Sequence, residues 1–364
     1  MINRIKIEGY KSIRYLDLEL KPINILIGSN GVGKSNFLSF FKLVNNLYER
    51  RLQNYVGRQG GADNLLYFGR NYTDEIYGKI SFKDNIDSVH NNLYYFHLVP
   101  TIEDSFIIGK EASGYNVEWM DDNSGYFYSQ NLNESAIKQS SSFRDKYLRD
   151  YFESLKIFHF HDTGENSPLR KSSQLDDNKY LKENGSNLPA FLYYLKEKHP
   201  KHFNRIEKTV QSVAPYFERF DLQPDRLNEH NIRLEWKEMN QSEGYFNALH
   251  LSDGTLRFIA LVTLLMQPDL PKIIIIDEPE LGLHPFAINK LAALIRKASA
   301  ESQVIISTQS INFVDNFEPE EIITVDRENN ASVFAHLNSD NLNNWLSDYT
   351  LGDLWQKNVI KGQP

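Results

Sequence analysis

The sequence predicts an α/β fold from two apolar strand runs, each ending in residues suited to phosphate or cation chemistry, and from helix-period segments that follow them. The first run, Ile23-Asn24-Ile25-Leu26-Ile27, is near-continuous, as in a buried central strand, and leads into Gly28-Ser29-Asn30-Gly31-Val32-Gly33-Lys34-Ser35. The second, Ile273–Ile276, ends in Asp277-Glu278-Pro279-Glu280. At 364 residues the chain suits two to three lobes, on a prior of ~150 residues per domain. Its 41% hydrophobic share can bury a sizeable core.

Taken in order, the chain begins with strands. Ile5, Ile7 and Tyr10 open one, and Leu16, Leu18 and Leu20 alternate with Asp17 and Glu19, the period of a half-buried strand. Residues 28–35 match G-x-x-x-x-G-K-[ST], the phosphate-binding loop. Gly28, Gly31 and Gly33 permit backbone conformations that side chains block, so that N–H groups of Ser29, Asn30, Val32 and their neighbours can turn inward to cradle phosphate oxygens. Lys34 supplies a charge to the β- and γ-phosphates, and the Ser35 hydroxyl ligates Mg²⁺. The segment Asn36–Leu47 carries Phe37, Leu38, Phe40, Phe41, Val44 and Leu47 at helical spacing, and its N-terminus faces the same anion. A plain glycine-rich turn is the alternative, and the strand before and helix after argue against it.

Composition excludes several classes. The net charge is −8, made of +3 over residues 1–110, −3 over 111–240 and −8 over 241–364. That weak basic lean is the pattern of an ordinary solvated surface, so charge alone does not signal DNA contact. The longest near-apolar stretch, Phe258–Met266, has nine residues, against about 20 for a membrane-spanning helix. The N-terminus Met-Ile-Asn-Arg-Ile-Lys lacks the apolar region of a secretory signal. With no cysteine, disulfides, thiolate zinc sites and Cys nucleophiles are excluded, which fits a reducing, cytoplasmic setting.

Downstream, Asp277 stands at the tip of its strand, where a carboxylate can hold Mg²⁺ beside a phosphate loop. Glu278 can accept a proton from an attacking water. Leu251-Ser252-Asp253-Gly254-Thr255 precedes an apolar helix from Leu256 to Met266, and a hydroxyl with free N–H groups there makes an anion-binding end. Taken alone, the same segment reads as a helix capped by Ser252 or Asp253. A helix is expected to open at Pro189 and another to run from Phe203 to Tyr216, whereas residues 112–140, rich in Ser, Asn, Gly and Asp, read as loops or a mobile insertion. His159 and His161 form an H-x-H pair with both side chains on one strand face, able to bind metal with Asp162 adjacent, though a structural strand is the plainer reading. The many Tyr and Phe side chains read as core and interface rather than as a base-stacking platform.

The ordered set of phosphate loop, L-S-D-G-T, I-I-I-I-D-E-P-E and Ile305-Ile306-Ser307-Thr308-Gln309-Ser310 resembles the ABC-type ATPases of the chromosome-maintenance, RecF and OLD (overcoming lysogenization defect) superfamily. Within it the chain looks like the stand-alone OLD-like ATPases usually labelled AAA-family. Gly60-Gly61-Ala62-Asp63, Phe160-His161-Asp162-Thr163, Asn184-Gly185-Ser186-Asn187-Leu188, Glu280-Leu281-Gly282-Leu283-His284-Pro285 and Leu351-Gly352-Asp353-Leu354-Trp355 carry the likeness over essentially the whole chain. The resemblance implies a P-loop NTPase of ABC type. A β-rich N-terminal lobe with Walker A would span 1–110, a helical and loop insertion 111–240, and a C-terminal lobe with signature, Walker B and switch 241–364.

Residue by residue, the resemblance implies ATP on Gly28 to Ser35 and Asn36, with Mg²⁺ on Ser35 and Asp277. It makes Glu278 the catalytic base, and Ser252, Asp253 and Gly254 the signature that reaches the nucleotide of a second subunit. Glu280 to His284 would line the dimer seam. Gln309 stands where such ATPases usually carry a switch His; its amide can hydrogen-bond a phosphate oxygen but cannot become cationic. The Q-loop glutamine stays open among Gln53, Gln59, Gln130 and Gln139. Residues 111–250 are too few for the long coiled coils of chromosome-maintenance ATPases. The nuclease domain that follows in OLD proteins is not expected after Walker B here. The implied protein is a homodimeric ATP switch without membrane attachment that gates a separate effector, such as a nuclease in phage defence. A RecF-like DNA-repair ATPase that binds DNA when ATP-bound is the alternative. A transporter subunit fits less well, because E-L-G-L-H-P replaces the usual S-A-L-D after Walker B.

Overall fold

The computed structural model describes residues 1–364 except 86, 87, 117, 120–125, 130, 241–245, 363 and 364. They fall into two units. The first comprises Met1–Ile157, Lys272–Ile275 and Ser302–Pro364, and the second Phe158–Pro271 and Ile276–Glu301.

The first unit contains an antiparallel sheet in the order β2-β1-β4-β5-β6-β7, from β1 (Ile2–Tyr10), β2 (Ile13–Glu19), β4 (Ile76–Phe82), β5 (Asn92–Pro100), β6 (Phe106–Tyr115) and β7 (Tyr126–Ser129). A second sheet has the order β12-β11-β3-β10-β9-β8. Its strands are β3 (Ile23–Ile27), β8 (Ile157–Phe158), β9 (Ile273–Asp277), β10 (Gln303–Thr308), β11 (Ile322–Glu328) and β12 (Ala331–His336). Both β10 and β11 run parallel to β3, and every residue of β3 is buried. Strands β8 and β9 carry the chain across the division between the units, after Ile157 and Ile275.

Helix α1 (Lys34–Tyr48) is apolar on most of its circumference, with Phe37, Phe40, Phe41, Leu43, Val44 and Leu47 all buried. The reason is its place in a core shared with Ile5, Ile7, Ile80 and Phe96 of the antiparallel sheet and Leu26, Ile275 and Ile305 of the other. Phe40 meets Tyr10 edge to face at 5.5 Å between centroids and stacks on Phe96 at 6.0 Å.

The second unit holds α2 (Leu188–Lys198), α3 (Pro200–Val213), α4 (Asp253–Met266) and α5 (Pro285–Ala298), with α4 packed on both α3 and α5. A small sheet of Phe217–Phe220, Glu235–Glu238 and Phe246–Asn247 completes it, beside a pairing of Ser173–Gln174 with Asn231–Ile232. Every residue from Leu256 to Leu265 is buried, including Arg257 and Thr263, which explains the near-apolar run.

The predicted helices all form, with shifted ends. Helix α1 starts at Lys34 rather than Asn36, and α4 at Asp253 rather than Leu256, because each includes its polar first turn. Helix α2 begins one residue before Pro189, and α3 covers Pro200–Val213 and stops short of Tyr216. The reading of 112–140 as loop is corrected: 112–115 belong to β6, Tyr126–Ser129 form β7, and Ile137–Gln139 form a 3-10 turn. The small residues of β6 are strand residues because they pair with the large ones of β5, Ala112 opposite Tyr95 and Gly114 opposite Leu93. Among the described residues no helix is long and apolar enough to cross a membrane.

Gly78 on β4 leaves room for the Phe40–Phe96 stack. A Cβ there would lie 2.6 Å from Phe96 Cε1 and 2.8 Å from Phe40 Cζ. Gly78→Ala is expected to lower unfolding stability by about 1–3 kcal/mol through overpacking. Urea denaturation of the two proteins checks it, and an unchanged midpoint would show that the rings shift freely.

Candidate functional site

In the first unit, residues 28–33 leave the C-terminal end of β3, the edge at which open α/β sheets bind ligands. Gly28, Gly31 and Gly33 have φ of 157°, 79° and 118°. The requirement is sharpest at Gly33, where a Cβ would overlap Ser332 Oγ and lie 2.8 Å from Ser12 Oγ. At Gly28 a Cβ would overlap the Val325 carbonyl oxygen of β11. Thus neighbouring backbone and hydroxyls close onto the loop from β11, β12 and the β1–β2 turn.

Those hydroxyls form a chain. The Asn36 amide donates to Ser12 Oγ (2.8 Å), Ser12 and Ser332 share a hydrogen bond (2.7 Å), and Ser332 Oγ donates to the Val32 carbonyl (2.5 Å). Lys34 is 5% exposed, and its ammonium donates to the carbonyls of Gly28 (2.5 Å) and Ser29 (2.9 Å). Ser35 is exposed, as are Asn30 and Gly31, whereas Ser29 and Asn36 are partly buried and Val32 is buried.

Gln309 follows the last residue of β10, and the register pairs Thr308 with Ile27, one residue before Gly28. The first unit therefore brings the predicted switch position to the strand end beside the phosphate loop. Among the open glutamines, Gln53 uses its amide on the carbonyls of Phe106 (2.8 Å) and Asn133 (2.7 Å), a bracing role. Gln59 is the C-cap residue of the helix Leu52–Arg58, Gln139 is exposed, and Gln130 lies outside the described residues.

In the second unit, Asp277 ends β9 half-buried and Glu278 follows with φ 40°. A left-handed non-glycine residue before a proline is strained, and such strain persists only where surrounding structure holds it. After it, Leu283 N–H bonds the Glu280 carbonyl (2.9 Å), Gly282 has φ 75°, and His284 caps α5. Ser252 is the N-cap of α4, accepting from Thr255 N–H (3.2 Å). Gly254 faces the 280–284 loop so closely that a Cβ would overlap the Gly282 carbonyl oxygen. The bare glycine therefore sets the spacing between the start of α4 and the 280–284 loop.

Two arginines hold this arrangement. Arg170, its side chain 7% exposed, donates to the carbonyls of Thr163 (2.7 Å), Ala248 and Leu251 (3.2 Å), and to Asp253 Oδ1 (2.7 Å). Arg257 on α4 is buried and donates to the carbonyls of Phe160 and His161, both at 2.9 Å. Burial pulls its pKa below the usual guanidinium value, opposed by the charges of Asp253 and Glu280. His159 and His161 lie on one face, and their ligand atoms come within 4.8 Å of each other and of Asp277. Asp162, the sequence's candidate third ligand, is turned into a local bond from Gly164 N–H (3.3 Å) instead.

A family model described as "AAA domain, putative AbiEii toxin, Type IV TA system" matches residues 23–315. The chain belongs to this family. Among solved structures it is similar to a Smc head bound to the C-winged helix domain of ScpA, with 16% identity, 93% of this chain and 98% of that chain covered, and a TM-score of 0.62. It is also similar to a Smc head domain with an extended coiled coil bound to the C-terminal domain of ScpA, derived from Pyrococcus furiosus (15% identity, 95% and 98% covered, TM-score 0.60). These likenesses show the fold, that of an ABC-type P-loop ATPase. A human relative, ATP-binding cassette sub-family A member 6, is 34% identical over 77 residues, which is 21% of this chain and 5% of that protein. The chain thus matches a small part of that relative's length.

In this family member the sequence reading missed Ser12, Ser332, Arg170 and Arg257, because none stands inside a motif. Their signal is three-dimensional, namely hydroxyls where a glycine has no Cβ and guanidinium groups aimed at loop carbonyls. Arg170→Ala is expected to destabilise the protein by about 1.5–3 kcal/mol, the range for hydrogen bonds to charged groups. Amide exchange over residues 248–253 should quicken with it. Arg170→Lys should fail to restore protection, since a lysine lacks the guanidinium fork.

Proposed function

We propose that the chain binds ATP with Mg²⁺ and hydrolyses it, and that two copies engage around two nucleotides. In this reading residues 28–36 of one copy hold each ATP, and Ser252, Asp253 and Gly254 of the other contact its γ-phosphate. The single observation that carries it is the phosphate loop: three left-handed glycines, a buried Lys34 ammonium among its carbonyls, and an exposed Ser35. A cradle of N–H groups and a held cation at a helix N-terminus suits an anionic phosphate chain.

The oxygen donors Ser35 and Asp277 fit Mg²⁺, a hard cation that keeps water and phosphate among its ligands. When bound, Mg²⁺ neutralises charge on the β- and γ-phosphates. Lys34 exchanges carbonyl for phosphate oxygens, Glu278 takes a proton from water, and Gln309 orients that water or a phosphate oxygen. The γ-phosphate is the differential contact between engaged and released states, so ATP binding drives engagement and hydrolysis undoes it. We assign the output to a separate effector protein, in an OLD-like defence role.

A second reading is a RecF-like ATPase that binds DNA when ATP-bound. It draws on the charge of the first third of the chain, +3 over residues 1–110, where the other two thirds are negative.

Three expectations follow from these roles. Glu278→Gln should lower kcat by about 10²–10⁴, the usual contribution of a general base, with ATP still bound. Lys34→Ala should weaken ATP binding about 10- to 100-fold, from the loss of a charge-assisted hydrogen bond. ATP hydrolysis measured with and without duplex DNA separates the two readings. Strong stimulation by DNA favours the RecF-like one, and a rate indifferent to DNA favours a protein effector. Full hydrolysis by Glu278→Gln would remove Glu278 from the mechanism.

A further inference from the structure

Outside the phosphate loop, the second unit gathers another set of ligand-type side chains. Strand β8 ends at Phe158, so His159 and His161 follow the expected strand rather than lie in it, and over residues 158–161 buried and half-buried side chains alternate. Phe158 and Phe160 are buried, 2% and 3% exposed, with ring centroids 6.1 Å apart. His159 and His161 point the other way, half-buried, with ring centroids also 6.1 Å apart. The apolar anchors on one face therefore fix the direction of the imidazoles on the other.

The backbone of the pair is fixed as well. His159 N–H donates to the Glu183 carbonyl (2.8 Å), and Arg257 ties down the carbonyls of Phe160 and His161. The third member, Asp277, comes from the end of β9, more than a hundred positions away in sequence. One ligand atom from each of the three residues lies within 4.8 Å of the other two. That spacing matches three donors around one ion, and the partial exposure of all three leaves it open to solvent.

We propose that His159, His161 and Asp277 form a binding site for a divalent first-row transition-metal ion. Two imidazoles and one carboxylate with open positions suit Mn²⁺, Fe²⁺, Co²⁺ or Zn²⁺, whereas Mg²⁺ takes oxygen ligands and dehydrates reluctantly. The site uses the carboxylate proposed above as a Mg²⁺ ligand, but its ion binds without nucleotide. The geometry is built in the second unit alone, and the phosphate loop contributes none of it.

The test is Co²⁺ titration of the 364-residue chain without added nucleotide, read by visible absorption and by metal content after desalting. One Co²⁺ per chain is expected, displaced by Zn²⁺ and not by equimolar Mg²⁺. His159→Gln, His161→Gln and Asp277→Asn should each weaken it at least about tenfold, the scale of an altered metal shell. Circular dichroism on each variant establishes folding, and the conservative Gln and Asn side chains keep the volume close. Lys34→Ala should bind Co²⁺ as wild type does, whether or not it binds ATP. Failure of ATP binding in wild type is thereby distinguished from failure of the metal site. Another histidine pair, His199 and His202 with centroids 6.2 Å apart, serves as the control for casual chelation. The proposal is overturned by no Co²⁺ binding, by binding lost in His199→Gln rather than His161→Gln, or by ready displacement with Mg²⁺.

Discussion

The phosphate loop depends on a missing atom. Because Gly33 has no Cβ, Ser332 and Ser12 bring their hydroxyls into the space beside it, and Ser332 bonds the Val32 carbonyl from there. A residue near the start of the chain, the loop itself and a residue near its end are thereby joined in one hydrogen-bonded chain that also reaches Asn36. These are neutral bonds of modest net worth, about 0.5–1.5 kcal/mol each. Their larger effect is positional: they fix the backbone immediately before Lys34 and Ser35, the side chains proposed to meet the nucleotide. The strand register adds the next constraint, since parallel pairing of β10 with β3 sets Gln309 at the same edge.

The second unit uses the same device at Gly254, with backbone rather than hydroxyl as the close neighbour. There the contact sets the start of α4 against the 280–284 loop, while Arg170 donates to the carbonyls of Thr163, Ala248 and Leu251 and Arg257 to those of Phe160 and His161. Arg170 gains little from its charge pair, because Asp253 is 66% exposed and such pairs are weak. Its value lies in the carbonyls it satisfies, each a buried acceptor that would otherwise lose water without compensation. Arg257 does two jobs at once, packing within α4 and holding the carbonyls of Phe160 and His161 in the segment that presents the histidines.

Much of this was legible in the residues. The apolar run into G-x-x-x-x-G-K-[ST] located β3, the loop and α1, because glycine, lysine and serine at those spacings answer local backbone and charge requirements. Ser252 was one of two candidate caps and is the cap. Three kinds of feature were not legible. Residues 112–115 look like loop by composition, yet cross-strand pairing with Leu93, Tyr94 and Tyr95 holds them in β6. Ser332 and Arg170 act on segments far away in the chain, and no local periodicity marks such a partner. The third ligand-type residue beside His159 and His161 is Asp277, not the adjacent Asp162, because the fold and not the sequence order decides which carboxylate arrives.

The dual position of Lys34 bears on how the loop works as a switch. Its ammonium is buried, and burial of a charge is costly unless partners replace water. The carbonyls of Gly28 and Ser29 are such partners, so the lysine closes the loop on itself. Phosphate oxygens carry full negative charge and make stronger, shorter bonds to an ammonium than neutral carbonyls do. In the proposed function, binding therefore exchanges one set of acceptors for a better one rather than creating a contact from nothing, and the net gain is smaller than the gross strength of the lysine–phosphate bond. Removing the lysine also removes the loop's own support. A Lys34 variant thus acts on the stability of the loop as well as on the affinity proposed for it, whereas the exposed Ser35 hydroxyl has no comparable burial to lose.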